Sequence, residues 1–414
     1  MKKEEIIAGL DLGSTAVRLV VGQKSHSEGK LHIIGASEIP ARGVNKGVVT
    51  SIEEASASIF ACVEKTEKMI GMSIDRAWVG ISGSHVVCQE SKGVVAVSKI
   101  DGEIREEDVE RAIEAARTVT TPPNYEILHV IPKNFTVDNQ TGIKDPVGMT
   151  GVRLEVDAQL ILGLSSQIKN LTKSIYQAGL DIEDLVLSIL ATAESVVTDR
   201  QKELGTVVVN IGGATTSLVV FEEGDVLHAA VLPIGSEHVT ADVAIGLRIS
   251  IDAAERIKIT YGNALPKEIN KKDEIDLKEF SDIETGMVSK KYIAEIIEAR
   301  IEEIFDKVDQ ELKKINRSGL LPAGAILTGG GAKLLGIVEV AKRRLRLPAA
   351  LGFPLNLSSV VDKVNNLSFA TATGLVLWGE QVRRESRNGR ALSKFSGGRD
   401  TIRKVRHWFR SLIP

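Results

Sequence analysis

The sequence predicts an α/β protein of two related lobes around a cleft, with a module inserted in the first lobe and an amphipathic helix at the C-terminus. Three observations predict it. An apolar strand, a glycine-bearing turn and a second apolar strand occur over residues 6–21 and again over 206–221. The two units lie about 200 residues apart, which suggests duplication of a domain. Composition shifts between residues 84 and 164, as it would across an insertion. Over residues 381–414 ten basic side chains face only Glu385 and Asp400, a net +8 that leaves −11 on the first 380 residues.

Composition sets the class. Of the 414 residues 43% are hydrophobic and 26% charged, the proportions of a globular protein, which excludes disordered, collagen and disulfide-scaffold classes. This length implies two or three domains or one composite fold. Cys62 and Cys88 are too few for a disulfide framework or a zinc site, so nothing argues for secretion. The opening MKKEEIIAGLDLG has no apolar stretch of signal-peptide length before Asp11. No apolar run approaches about 18 residues, so no span of a bilayer is expected and a cytoplasmic protein is.

The elements follow in order. Residues 6–10 and 17–21 are β-branched runs around a polar, glycine-bearing tip and predict a hairpin. Over 51–70, Ile52, Ala55, Ile59 and Val63 recur at helical spacing, with Gly71 as the stop. Residues 78–81 read as a buried strand. Within the insertion, 91–98 and 127–137 read as strands and 105–117 as a charged amphipathic helix. Helices are expected over 165–178, 185–198, 236–261 and 290–317. A short strand at 325–328 runs into Gly329, Gly330 and Gly331, with a helix after it. Residues 380–400, polar and basic with three glycines, read as a flexible linker, and 401–413 regain helical periodicity.

Three turns carry the chemistry: GLDLGST (9–15), VVNIGGATTS (208–217) and LTGGGAK (327–333). Each follows an apolar strand, and glycine lets a backbone approach a ligand and present N–H groups to it. Ser14, Thr15, Thr215 and Thr216 add hydroxyls suited to phosphate oxygens. Asp11, at a strand end, suits a metal-bound water. Any one of these could be an ordinary turn; the order and separation of all three point to one ligand.

These turns resemble the phosphate-1, phosphate-2 and adenosine signatures of the actin and sugar-kinase ATPase superfamily, and within it the FtsA family of bacterial cell-division proteins. The resemblance covers nearly the whole chain. EILHVIPKNFTVDNQTGIKDPVGMTGVRLE (126–155) resembles the subdomain inserted in that family, and PIGSEHVTADVAIGL (233–247) and AAERIKITYGNA (253–264) are similarly FtsA-like. It implies two actin/heat-shock-type ATPase domains around a nucleotide cleft. By this resemblance subdomain 1A comprises 1–83, 165–203 and 356–380, and the inserted subdomain 1C comprises 84–164. Subdomain 2A takes 204–238 and 310–355, 2B takes 239–309, a basic linker 381–400 and a membrane-targeting helix 401–414.

The implied cofactors are ATP and Mg2+. Gly13, Ser14 and Thr15 would embrace the phosphates from one side, and Gly212, Gly213, Ala214 and Thr215 from the other. Gly329, Gly330 and Gly331, with Lys333 in the same turn, would approach the adenosine. Glu255 and Lys258, one helical turn apart on one face, would contact the base or ribose. Asp11 would hold the magnesium through water. Two departures stand out. Asn210 occupies the position where the phosphate-2 motif normally begins with Asp, keeping an oxygen but losing the charge. Ser188 is the nearest counterpart of the Gln or Glu that orients water in members that hydrolyse well; Thr192 and Glu194 are candidate substitutes. Phosphoryl transfer depends on metal positioning and water orientation, so binding with weak or no hydrolysis is expected and no catalytic residue is assigned.

The role implied by the resemblance is assembly into filaments that tether FtsZ filaments to the inner face of the cytoplasmic membrane at the division septum. The C-terminal peptide of FtsZ would dock on subdomain 2B, where Arg300 matches a family position, although a solvated helix charge is an equal reading of that residue. Other divisome proteins are further expected partners. A sugar kinase or phosphatase would need an acidic residue near the γ-phosphate, against which Asn210 and Ser188 count. A pilus-assembly relative would leave the tail unexplained.

The tail has its own logic. On a helical wheel Ile402, Val405, Trp408, Phe409, Leu412 and Ile413 fall within about 140°. Arg403, Arg406 and Arg410 flank that stripe on one side and Lys404 on the other. This is the pattern of a helix lying in an anionic membrane interface. Docking on the protein itself is the plainer alternative; nucleic acid is not expected, because a phosphate-binding strip needs no continuous apolar stripe. The seven histidines form no pair at metal-ligand spacing, and Cys62 on an apolar helix face reads as core.

Overall fold

The computed structural model describes residues 6–24, 31–98, 101–118, 122–280, 284–355, 358–359 and 361–389. Two of its sheets repeat one plan. The first runs Asp181–Leu187, Arg76–Ile81, Ile6–Leu12, Ala16–Lys24, Leu31–Pro40, Ser358–Ser359 in space. The second runs Ala349–Leu351, Ala325–Thr328, Thr206–Ile211, Thr216–Glu222, Asp225–Leu232. In each, three consecutive antiparallel strands are extended by two parallel strands on the side of the first. The repeated strand–turn–strand unit thus seeds two sheets of the same order.

Both sheets are buried on both faces, which is why their strands read as continuous apolar runs. Alternate residues of Ile6–Leu12 go to different cores. Ala8 and Leu10 pack beneath the helices Ile52–Ile70 and Ser165–Gln177. Ile7 packs with Ala372, Leu375 and Val376 of the helix Ala370–Gly389 on the other face. The helix Ile52–Ile70 starts at Ser51, whose side chain accepts from Glu54 N, and stops at Gly71 in the left-handed region, as the sequence predicts. Between the lobes, Ala370–Gly389 crosses Ser188–Val196 so closely that a Cβ on Gly374 would lie 1.8 Å from the carbonyl oxygen of Ala191.

The insertion is a four-stranded antiparallel sheet, in the order Val86–Ala96, Arg153–Leu164, Tyr125–Val137, Gln140–Ile143, with the helix Glu106–Arg117 on one face. The central strand Arg153–Leu164 is not among the elements expected from the sequence, although Leu154, Val156, Ala158 and Leu160 alternate toward that helix.

Three expectations are corrected. The helix expected from 185 begins only at Ser188, because Asp181–Leu187 pairs in parallel with Arg76–Ile81. The single helix expected over 236–261 is two, Ser236–Leu247 and Ile251–Tyr261. Arg248 adopts a left-handed φ of 57° and Ser250 caps the second helix through Ala253 N. The linker expected from 381 is helical as far as Gly389: Val382 packs on the core of the first lobe, and Arg383 donates to Ile6 O at 3.0 Å and to Glu183 at 2.8 Å. The rest of the linker and the amphipathic segment 401–414 lie outside the described residues. No helix among the described residues is long and apolar enough to cross a membrane.

Candidate functional site

The two sheets present their glycine turns to a common cleft of about 520 Å3. The turns are built alike: Gly13 N donates to Ala16 O at 3.1 Å, and Gly212 N donates to Thr215 O at 2.9 Å. They also meet, since a Cβ on Gly213 would lie 2.7 Å from Thr15 Cγ2. The third turn closes the cleft from the strand Ala325–Thr328. The helix Ile251–Tyr261 brings Glu255 and Lys258 to the rim. Asp11, Gly13, Ser14, Thr15, Asn210, Gly212, Gly213, Ala214, Thr215, Glu255, Lys258, Gly329, Gly330, Gly331 and Lys333 therefore line one cavity.

The electrostatics suit a polyanion. Asp11 is half-buried, and its desolvation raises its carboxyl to about 6, with the Arg18 guanidinium acting against the rise. Arg18 bonds Glu38 at 2.6 Å and lies 5.9 Å from the Phe369 ring centroid. Burial, aided by Arg18, lowers Lys333 from the ordinary lysine range. Lys258 Nζ lies 2.6 Å from Glu255 and donates to Thr240 Oγ1 at 2.7 Å, so the two rim residues hold each other. For a metal the donor set is sparse. No group of three or more His, Cys, Asp or Glu among the described residues could hold an ion. A carboxylate and an amide oxygen, Asp11 and Asn210, fit a hard cation that keeps most of its waters and takes further oxygens from a phosphate ligand.

Several residues stand elsewhere than the sequence suggests. Thr216 is buried and donates to Ile234 O at 2.8 Å, so its hydroxyl is turned away from the cleft. Thr192 is buried behind Ser188, and Glu194 bonds Lys202 at 2.7 Å; neither lines the cavity, so neither takes the water-orienting position. Arg300 is no free cation: it makes a two-pronged pair with Asp242 at 2.5 and 2.8 Å. Arg18, Ser82, Ser217 and Thr371 are among the cavity-lining residues that the sequence does not single out. Arg18 was within reach, because the hairpin register places it opposite Asp11. Cys62 is core, as expected. His129, lowered to about 4 by burial, accepts from Leu187 N at 2.9 Å and is a structural acceptor.

Comparison with known proteins extends this geometry. A family model described as cell division protein FtsA matches residues 207–374, and one described as the SHS2 domain inserted in FTSA matches 83–162. The chain is 35% identical to the cell division protein FtsA of Pseudomonas aeruginosa, over 98% of this chain and 97% of that protein. It is 35% identical to the FtsA of Bacillus subtilis, over 91% and 84%, and 32% to that of Escherichia coli, over 91% of both. Among solved structures it is similar in fold to the PilM–PilN type IV pilus biogenesis complex (17% identity, TM-score 0.66, 90% of this chain and 98% of that one). A second likeness is to MreB5 of Spiroplasma citri bound to ADP (13% identity, TM-score 0.54, 93% and 99%).

Proposed function

The chain belongs to the FtsA family of cell-division proteins and has an actin-like fold, and from that premise we propose that it binds magnesium-ATP, self-assembles, and tethers FtsZ filaments to the inner face of the cytoplasmic membrane at the division septum. The observation that supports the reading is the convergence of three glycine turns and the Glu255–Lys258 pair on one cleft. The phosphates lie between the turns at Gly13 and Gly212, the adenosine lies against Gly329–Gly331, and Asp11 reaches the metal through water. Asn210 and Ser188 supply neither a carboxylate nor a long amide at the γ-phosphate, so turnover is slow. The reading takes subdomains 1A, 1C, 2A and 2B with the boundaries that the family resemblance implies, with the helix Ala370–Gly389 running past residue 380.

On this reading the FtsZ C-terminal peptide docks on 2B. An acidic peptide there must take Arg300 from Asp242 by exchange, so Arg300 contributes selectivity more than raw affinity. The amphipathic tail is the membrane contact. A role in pilus assembly rests on likeness of fold alone, at 17% identity. The test is calorimetric titration of the full chain with ATP in the presence and absence of Mg2+, followed by phosphate release. Tight binding with turnover well below about one per second is expected, against typical enzymes at about 10 per second. Absence of ATP binding, or rapid turnover, would overturn it.

A further inference from the structure

Asn210, at the position where the resemblance implies an acid, stands in a hydrogen-bond chain whose direction can be worked out. Thr192 Oγ1 donates to Ser188 O at 2.7 Å, the back-bond typical of a helical threonine. A hydroxyl has one proton, so toward Thr371 Oγ1, 2.9 Å away, Thr192 can only accept and Thr371 must donate. Both hydroxyls then show only lone pairs to residue 210. Asn210 Nδ2 meets them, at 3.1 Å from Thr371 and 3.5 Å from Thr192. Its oxygen lies at the other end, against Gly329 at the cleft.

We propose that Thr192 and Thr371 are positioning residues that select an amide at 210. They accept from its amide nitrogen, Thr371 at 3.1 Å and Thr192 more weakly at 3.5 Å, and so turn its oxygen toward the cleft, where, on the reading that ATP binds there, it faces the water of the metal. A carboxylate at 210 would set its lone pairs against theirs. The amide also ties the strand Thr206–Ile211 of the second lobe to the helices Ser188–Val196 and Ala370–Gly389 of the first, at the floor of the cleft. Both threonines are buried, Thr192 away from the cleft and Thr371 at its floor.

The experiment uses N210D, T371V, T371S and the N210D/T371V double variant in the full chain. Thermal melting without nucleotide reads the network itself. N210D, equal in size to the parent, is expected to melt several degrees lower; T371V is expected to lose less, and T371S to melt like the parent. The double variant should lose less than the sum of the singles, because removing the opposed hydroxyl relieves the carboxylate. Titration with ATP then reads the positioning. In T371V the tightening of ATP by Mg2+ should fall about two- to tenfold, the worth of one net hydrogen bond, with T371S restoring it. Parental melting of N210D, strict additivity in the double variant, or T371S no better than T371V would overturn the proposal. If the parent binds no ATP, the nucleotide reading fails while melting still decides the amide network.

Discussion

Three consecutive glycines in the third turn have three different reasons to be glycine, and they give a clean test of the ligand's place. Gly329 has φ of 87°, and a Cβ there would lie 2.2 Å from Asn210 Oδ1; at Gly331 it would lie 2.5 Å from Ile211 Cγ2. At Gly330 nothing lies within 4 Å. Gly329→Val should therefore destabilise by about 2 kcal/mol or more through strain and overlap. Gly330→Val should stay within about 0.5 kcal/mol in denaturant unfolding, yet abolish ATP binding in titration, because the proposed reading puts the adenosine in that open space. A Gly330→Val protein that binds like the parent would remove the adenosine from that turn. The same scale shows what sequence can reveal. Glycines and hydroxyls in turns were legible, because the backbone that presents them is local. Thr215 and Thr216 look alike in the string, but only the structure shows that Thr216 bonds Ile234 O. Thr371 was illegible, since its relation to Asn210 arises from a helix distant in sequence crossing the floor of the cleft.

Between elements, the inserted sheet is strapped to the second lobe at two places. Lys144 Nζ donates to Glu223 O at 2.6 Å and lies 3.3 Å from Asp225, at the turn between two strands of that lobe. Deeper in, Gln159 Nε2 is 3.3 Å from His228 Nδ1, and His228 Nε2 is 3.0 Å from Glu311. Any opening of the cleft that parts the lobes has to break these contacts or carry the insertion along. Their weights differ. Lys144 is 46% exposed, so its ion pairs are worth at most about 1 kcal/mol. Gln159 is buried, and leaving it without a partner costs about 1–3 kcal/mol. In stopped-flow release of a fluorescent nucleotide, His228→Ala should quicken dissociation about fivefold or more, and Lys144→Ala by less than about fivefold. Equal rates in both variants and the parent would show that release does not need the straps. Acid should act in the same direction. The His228 bond holds Glu311 below the ordinary carboxylate range, so its contribution is present above that range and fades as pH falls through the lowered value. Among elements, strongly periodic segments such as 52–70 were legible because one face must be buried. The break at Arg248 was not, because apolar residues continue on both sides of a single left-handed residue. The helix past Gln381 is not legible in the sequence because its arginines look solvated, whereas Arg383 is anchored to Ile6 and Glu183.

At the scale of the whole molecule, the duplication visible in two turns extends to two sheets that share the order of five strands, while charge is divided between residues 1–380 at −11 and residues 381–414 at +8. That division argues for a surface that takes the tail and repels the body, as an anionic membrane does. Burying Ile402, Val405, Trp408, Phe409, Leu412 and Ile413 would supply several kcal/mol at about 25 cal/mol per Å2. Ordering a helix of this length from the chain consumes part of that gain, since such helices are marginal in water. Arg403, Lys404, Arg406 and Arg410 add about 1 kcal/mol each near an anionic surface. On the proposed reading one tail would bind reversibly, and a filament presenting many tails would bind firmly through effective concentration. The structure supplies the control: a chain ended after Gly389 keeps the helix Ala370–Gly389 whole and removes only residues 390–414. In cosedimentation with anionic vesicles, the chain ended after Gly389 and the double variant Trp408→Glu, Phe409→Glu should both remain in the supernatant with ATP affinity unchanged. Rising salt should weaken binding of the parent without abolishing it, because the apolar contribution is unscreened. If the chain ended after Gly389 still sediments with vesicles, the membrane contact lies on the body, and its net charge of −9 would then require a local basic face rather than a tail.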